Sequence, residues 1–396
     1  MILEYILFLI LGILLGIFTG LIPGIHTNLI AVIVISIPII SNQNPTSIII
    51  LLVATSITHT FLNFIPSIFI GAPDSDSFLG VLPGHKFLMK GLGPHAMRLT
   101  VVGSTIATTS LIAIIPLFIF LIPKIYPTIE QMMGFILIWA VIFLIKDERT
   151  KIISSLIFIF SGLLGVTTFN LGIKNPLLPL LAGLFGISSI YSSIKNNAAP
   201  PEQILEKRKI DKKDLIKPTL ATILISPICS LLPGLGSSQA ATISSSFFKK
   251  IKEDQFLILL GSINTLVTLT SFLTLYLFQK SRTGVANAIA QITTITSQNL
   301  ILIFAIAIIS SAISIPIALT ISKQIAKKIH KINYRKISIF VILILIIVTG
   351  IFSGILGILV LAVSTALGIF CNEIKVKKSF MMGCILVPTI IYYLPF

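Results

Sequence analysis

Two short stretches with the composition of an anion-binding site interrupt long apolar segments of this sequence. They are Gly-Leu-Ile-Pro-Gly-Ile-His-Thr-Asn (20–28) and Ser-Leu-Leu-Pro-Gly-Leu-Gly-Ser-Ser (230–238). Pro-Gly ends a helix and frees backbone groups, and the Thr, Asn or Ser that follows caps the next helix. Because a helix N-terminus attracts anions, we predict that the substrate-binding residues are Pro23, Gly24, His26, Thr27, Asn28, Pro233, Gly234, Gly236, Ser237 and Ser238.

The Pro-Gly stretches also have a simpler interpretation, in which they only make tight helical turns. Their occurrence at two matching positions, 210 residues apart, favours the binding site. No Lys or Arg lies in the apolar core, so helix N-termini are the expected source of positive potential there, and freed carbonyls at helix C-termini could hold Na⁺. His26 is an ionisable residue in an apolar stretch, where it either contacts substrate or a proton or makes a structural hydrogen bond.

Two acidic residues, Asp74 and Asp76, lie in the segment 71–95, which is rich in Gly and Pro. This composition predicts irregular backbone between two apolar helices. The two carboxylates could couple an ion or act as a gate. The alternatives are an ordinary solvated loop and a metal site of the D-x-D type.

Polar stripes run along two otherwise apolar helices, one in each half of the chain. His59 and Asn63 lie with several Thr and Ser residues on the first helix, and Asn264 lies in a similar stripe on the second. Such residues either line a substrate path or only join membrane helices to one another. We therefore add His59, Asn63 and Asn264 to Asp74 and Asp76 as candidates for ion coupling or gating.

No catalytic or metal-ligand spacing occurs in the sequence: it has no nucleophile elbow, no H-E-x-x-H and no Walker A motif. We predict that the protein is not an enzyme, has no metal site and needs no cofactor other than Na⁺ or H⁺ as a coupling ion.

The composition identifies the class of protein that carries these stretches. Of the 396 residues, 55% are hydrophobic and only 11% are charged, whereas about 25% are charged in soluble domains. Many apolar runs are long enough to cross a bilayer. We predict an all-α polytopic membrane protein with about 10–14 membrane segments. The predicted spans are a hairpin at 5–40, helices at 48–71, 98–122, 131–146, 152–171 and 177–194, a hairpin at 218–248, and helices at 256–279, 298–321, 337–352, 354–370 and 379–395, with a re-entrant or interfacial piece at 285–296.

The net charge of +16 predicts the orientation in the cell membrane. When the linker 198–217 is placed in the cytoplasm, 25 of the 29 Lys and Arg residues fall on the cytoplasmic side, as the positive-inside rule requires. Both termini are then outside. The basic loops then lie beside anionic membrane lipid, which is their expected partner and accounts for the positive net charge. We therefore expect no nucleic-acid partner. The mixed charges of 201–217 predict a solvated linker.

The linker divides the chain into a first membrane repeat, 1–197, and a second, 218–396. Each half opens with a Pro-Gly-broken hairpin, and each is predicted to cross the membrane an odd number of times. The halves therefore have inverted topology, an arrangement typical of secondary transporters.

The chain resembles the TctA family, the large membrane subunit of tripartite tricarboxylate transporters, and is similar to its archaeal stand-alone branch. The stretches that carry the resemblance are 20–28, 71–85, 231–240 and 280–286. The resemblance implies cation-coupled uptake of carboxylates, with a small membrane subunit and an extracytoplasmic binding protein as partners.

These observations together predict a secondary active transporter of small organic anions, coupled to Na⁺ or H⁺. Two alternatives stay open at this point. One is a translocase of a lipid-linked phosphate such as polyprenyl phosphate, and the other is an intramembrane enzyme that uses Asp74, Asp76 and His residues. Homo-oligomerisation is also left open.

Overall fold

The computed structural model describes residues 2–22, 27–36, 44–71, 77, 81–146, 148, 150–195, 200–206, 208–231, 237, 240–241, 244, 251–279, 283–330, 334–376 and 378–394. Within these ranges the regular structure is helical, with no strand. In chain order the helices are α1 (Ile2–Leu21), α2 (Thr27–Ser36), α3 (Pro45–Leu62), α4 (Phe64–Phe69), α5 (Val81–Met89), α6 (Gly93–Gln131), α7 (Met133–Lys146), α8 (Lys151–Asn170), α9 (Leu177–Leu181), α10 (Ser188–Lys195), α11 (Lys213–Leu231), α12 (Glu253–Phe278), α13 (Gly284–Ile292), α14 (Ser297–Ile329), α15 (Tyr334–Glu373) and α16 (Gly383–Tyr393). A π-helical segment, Ala182–Ile187, joins α9 to α10, and a 3₁₀ helix, Lys378–Met382, leads into α16.

Helix length and apolarity confirm the predicted class, an all-α multi-pass membrane protein. Seven spans within the described ranges are long and apolar enough to cross a membrane. The spans Pro45–Phe69 and Glu253–Phe278 are almost wholly buried, whereas Ile2–Leu21 exposes most of its side chains. Large apolar side chains such as Phe135 and Trp139 are exposed. The two buried spans therefore form the centre of the protein, and the exposed apolar surfaces face lipid.

The helix ends differ from the predicted spans where prolines occur. The span predicted at 98–122 belongs to α6, which continues through Pro116, Pro123 and Pro127 to Gln131. Proline is tolerated in membrane helices because neighbouring helices and local adjustments satisfy the freed backbone groups. By contrast, the break predicted between 352 and 354 is present, since Gly354 lies within α15 with a φ of 68° that only glycine adopts easily.

Helices of similar character follow one another in the same order in both halves of the chain. The buried α3–α4 span precedes the short α5 and the long α6, and the buried α12 precedes the short α13 and the long α14. The halves interleave, because Gly103 of α6 approaches the backbone of α12 too closely for any side chain. Ser104 Oγ donates to Gly261 O of α12 at 3.1 Å. The inverted relation of the halves, and the boundaries 1–197, 198–217 and 218–396, stay predictions.

Several contacts join chain segments that the charge count places on the same side of the membrane. On the side predicted to be cytoplasmic, Lys86 pairs with Glu253 at 2.6 Å and Lys195 pairs with Glu373 at 2.6 Å. On the other side, Ser47 Oγ donates to Glu4 Oε1 at 2.6 Å. The basic segments therefore gather on one face, while the assignment of that face to the cytoplasm stays a prediction.

Part of the linker packs against the membrane helices, so the prediction of a solvated linker is wrong there. Gln203 Oε1 accepts a hydrogen bond from Gly93 N at 2.9 Å, and Ile204 N donates to Gly91 O at 2.8 Å. The turn between α5 and α6 at Gly91, with a φ of 75°, leaves backbone groups that need partners. The linker supplies them. Charge composition could not reveal this contact.

Candidate substrate-binding site

The structure describes six of the predicted site residues: Thr27, Asn28, Ser237, His59, Asn63 and Asn264. The other predicted residues lie outside the described residues. They are Pro23, Gly24, His26, Pro233, Gly234, Gly236 and Ser238 of the substrate set, and Asp74 and Asp76 of the ion-coupling set.

The start of α2 lies against the start of α13, which belongs to the other half of the chain. The helix α2 begins at Thr27, as predicted, and Thr27 is buried. A Cβ atom built on Gly284 would lie 2.7 Å from Asn28 Cβ and 2.8 Å from Asn28 Cγ. Thr283 caps α13, since its Oγ1 accepts from Ala286 N at 3.1 Å. Two helix N-termini thus meet, and both contribute partial positive charge to the same place.

The two central helices, α3 and α12, are joined through amide and hydroxyl side chains. Asn264 Nδ2 donates to Asn63 Oδ1 at 3.2 Å and to Thr60 O at 3.5 Å. Thr265 Oγ1 donates to Thr60 Oγ1 at 3.1 Å. Asn63 and Asn264 are both buried. Within the described part of the chain, Asn63 Nδ2 has no acceptor, so this pair keeps a buried donor available for a ligand.

Further hydrogen bonds extend this pair in both directions. We define the polar seam as Ser77, Ser67, Asn63, Asn264, Thr268, Ser271 and Thr283. Its links are Ser77 Oγ to Ser67 Oγ (2.6 Å), Ser67 Oγ to Asn63 O (3.3 Å), Asn264 Nδ2 to Asn63 Oδ1 (3.2 Å), Thr268 Oγ1 to Asn264 O (3.0 Å), Ser271 Oγ to Thr268 O (2.7 Å) and Ser271 Oγ to Thr283 Oγ1 (3.3 Å). The seam therefore runs from the chain before α5 to the start of α13.

The side chains of the seam are neutral. Hydroxyl and amide groups offer both donors and acceptor oxygens. Their donors suit a carboxylate, and their oxygens suit a hard cation such as Na⁺. The described residues contain no group of three or more His, Cys, Asp or Glu residues that could hold a metal ion.

Two predicted residues have a different setting. The Nδ1 atom of His59 lies 3.1 Å from Thr19 Oγ1 of α1, so His59 joins two helices of the first half. Ser237 is buried and helical. The roles of both residues stay predictions.

The comparison with protein-family models decides the family of this chain. Residues 6–383 match the tripartite tricarboxylate transporter TctA family. The chain belongs to this family. The match confirms the resemblance and makes the protein a member of a family of transporter components rather than enzymes.

A curated relative of this TctA-family chain is an uncharacterized protein of Methanocaldococcus jannaschii. The two are 30% identical over 405 residues, which cover 98% of this chain and 99% of the relative. No solved structure matches the chain.

Two of the stretches that carry the TctA resemblance supply the ends of the polar seam, since Ser77 belongs to 71–85 and Thr283 belongs to 280–286. A third stretch, 20–28, lies beside the second end, where Asn28 lies against Gly284.

The predicted substrate-binding set did not include Thr283 and Gly284, and Ser271 entered the analysis only as part of the polar stripe that contains Asn264. The sequence does contain a signal for Thr283 and Gly284, because 280–286 is one of the stretches that carry the family resemblance. The predicted set was built on the Pro-Gly stretches, and 280–286 is distant from them in sequence and contains no Pro-Gly.

Proposed function

We propose that this TctA-family protein is a secondary active transporter that carries small organic carboxylates across the cell membrane, coupled to Na⁺ or H⁺. The observation that supports the proposal is a neutral, largely buried polar seam between the two halves of the chain, whose two ends come from family stretches and beside one end of which a third family stretch lies. A buried site without cationic side chains binds an anion through N–H groups, hydroxyls and helix N-termini.

The seam and the predicted residues around it have distinct roles in this proposal. The starts of α2 and α13 supply positive potential for a carboxylate, and Asn28 and Asn63 donate hydrogen bonds to it. Hydroxyl and amide oxygens of Thr and Asn residues offer ligands for Na⁺, because hard cations prefer oxygen. Asp74 and Asp76 are the proposed acidic partners of the coupling ion. If H⁺ is the coupling ion, the same carboxylates and His26 carry it.

Transport requires the seam to open to each side of the membrane in turn. We propose that the two halves are inverted repeats and that they rock against each other around the seam. The similar order of helices in both halves and their interleaved packing support this arrangement. Family membership further supports a small membrane subunit and an extracytoplasmic binding protein as partners, because tripartite transporters contain both.

Uptake by purified protein in liposomes tests the proposed function. A panel of radiolabelled mono-, di- and tricarboxylates is presented with an inward Na⁺ gradient, an inward H⁺ gradient or neither. We expect accumulation of at least one carboxylate that depends on one gradient and stops when an ionophore removes it. Gradient-independent movement of a polyprenyl phosphate, without carboxylate uptake, would instead establish the lipid-carrier alternative.

The proposed orientation is tested by labelling single cysteines in a variant that lacks the native ones. Lys212 and Lys174 are both exposed and lie on opposite sides of the predicted topology. We expect Lys212→Cys to react with a membrane-impermeant maleimide only after the cells are opened, and Lys174→Cys to react in intact cells. The reverse pattern contradicts the proposed orientation.

A further inference from the structure

The described helices pack into two groups, and each half of the chain contributes to both groups. We define the inner body as α1–α6 together with α11–α14, and the outer body as α7–α10 together with α15 and α16. The chain passes from the inner to the outer body after α6, returns after α10 and passes over again after α14. The closest packing of helices between the bodies is that of α6 against α7, which follow each other in the chain. The boundary between the bodies therefore does not coincide with the boundary between the halves.

The inner body holds the two halves of the chain together at their backbones. A Cβ atom on Gly103 of α6 would collide with the carbonyl oxygen of Ile258 in α12, and one on Gly261 of α12 would collide with that of Thr100 in α6. Protein interiors are packed as densely as organic crystals, and backbones this close leave no side chain that could rearrange to let the helices part. Every member of the polar seam lies in or beside a helix of this body.

The outer body is joined across the halves in a similar way. Gly165 of α8 lies against the backbone of Cys384 in α16, with no room for a side chain between them. Ser364 Oγ of α15 donates to Pro179 O of α9 at 3.0 Å. The last helices of the first half and the last helices of the second half thus form a second unit.

The described contacts between the two bodies have a different character. Lys378 of the outer body is half-buried, and its charge acts on His85 of α5. Ile70, which follows α4, packs against a small apolar cluster of the outer body, which consists of Ala182, Ile187, Ile190, Val341, Leu345 and Leu361. Apolar contacts have no preferred direction. One body can therefore shift against the other along such a surface, as packed helices do in shear movements.

We propose that the inner body, with the polar seam inside it, moves as one unit against the outer body during transport. The inference rests on the proposed carboxylate transport and assigns its movement to these two bodies in place of the intact halves. Rocking of whole halves would have to open the packing at Gly103 and Gly261 in every cycle. Movement between the bodies leaves that packing, and the pair of Asn63 and Asn264, unchanged. The last helices of both halves then serve as the frame past which the seam moves.

Distances between spin labels distinguish movement of the bodies from movement of the halves. Three exposed lysines serve as label positions. Lys90 of the first half and Lys323 of the second half lie in the inner body, and Lys151 of the first half lies in the outer body. In a variant that lacks the native cysteines, each pair of these lysines is changed to cysteine and spin-labelled. The distances are measured in liposomes, once in sodium citrate and once in choline chloride of equal ionic strength.

We expect the distance between labels at Lys90 and Lys323 to have one value, which is the same in both solutions. The distance between labels at Lys90 and Lys151, which belong to the same half, should have two values that differ by about 5 Å or more, since packed elements ratchet past one another by about one helical turn. Rocking of the halves predicts the opposite pattern and would overturn the proposal. Distances that are constant for all pairs, or variable for all pairs, would overturn it as well. These measurements need no uptake, so a failure of the proposed carboxylate transport is detected separately, by uptake of the wild-type protein.

A disulfide across the halves gives an independent test. The hydroxyl groups of Thr108 in α6 and Ser311 in α14 are buried and lie 3.1 Å apart, a separation at which cysteines in their place can form a disulfide. We expect the double variant Thr108→Cys, Ser311→Cys to keep carboxylate uptake when it is oxidised, because the crosslink lies within the inner body. The reduced protein and the two single variants are the controls. Loss of uptake on oxidation that reduction restores would show that the halves must separate, and would overturn the proposal.

Discussion

Gly284→Ala should strongly raise the KM of carboxylate uptake while the protein still folds. The added Cβ would lie 2.7 Å from Asn28 Cβ, the first atom of that side chain. A rotation of the Asn28 side chain does not move this atom, so the starts of α2 and α13 must separate. Overpacking of this kind costs about 1–3 kcal/mol, which corresponds to roughly tenfold to a hundredfold in substrate affinity. The measurement is the KM of carboxylate uptake in liposomes.

The control for this variant is Gly350→Ala in α15. The nearest atom to a Cβ at Gly350 is Ile358 Cδ1 at 3.4 Å, an ordinary contact at the flexible end of a side chain. Alanine also favours the helix over glycine, so this variant should keep wild-type uptake and stability. Normal uptake by Gly284→Ala, in protein that elutes as a single species, would show that the contact between α2 and α13 is not part of the site.

The membrane helices could be predicted because the bilayer imposes their length and composition. The break of α15 at Gly354 lies at the predicted boundary between the apolar spans 337–352 and 354–370, and the start of α2 at Thr27 was expected from a capping residue after Pro-Gly. Both features depend on neighbouring residues in the sequence. The end of α6 was not predictable in this way, because tolerance of Pro123 and Pro127 depends on what packs around them.

The site itself could be predicted only in part. The polar stripes that contain Asn63 and Asn264 were visible, but nothing local shows that these two residues bond to each other across the halves. Likewise, the sequence does not show that position 284 has no room for a side chain, because the atoms that a Cβ would meet belong to Asn28. The linker contact through Gln203 and the partial burial of Lys378 also depend on tertiary packing. Local patterns determine helices, while the partners of polar groups depend on the whole fold.

Asn264→Leu should raise the KM for carboxylate, or the Na⁺ concentration needed for half-maximal uptake, by roughly tenfold to a hundredfold, as loss of a ligand hydrogen bond predicts. The substitution keeps a similar volume but removes the donor that holds Asn63 Oδ1. The buried Asn63 amide then has neither its oxygen nor its nitrogen paired within the described chain. It can no longer present its nitrogen to the ligand in a fixed orientation.

The neighbouring residue distinguishes binding from simple joining of helices. Thr265→Val removes the hydroxyl that donates to Thr60 Oγ1, between the same two helices and next to Asn264 in the chain. If the polar groups only join α3 to α12, both variants should lower the melting temperature and neither should change KM. If Asn264 positions the ligand, KM or the Na⁺ requirement changes in Asn264→Leu alone. Equal KM values in the two variants would show that the Asn63–Asn264 pair is not part of the site. The starts of α2 and α13 would then be the groups that bind the anion, since a helix N-terminus holds an anion without any charged side chain.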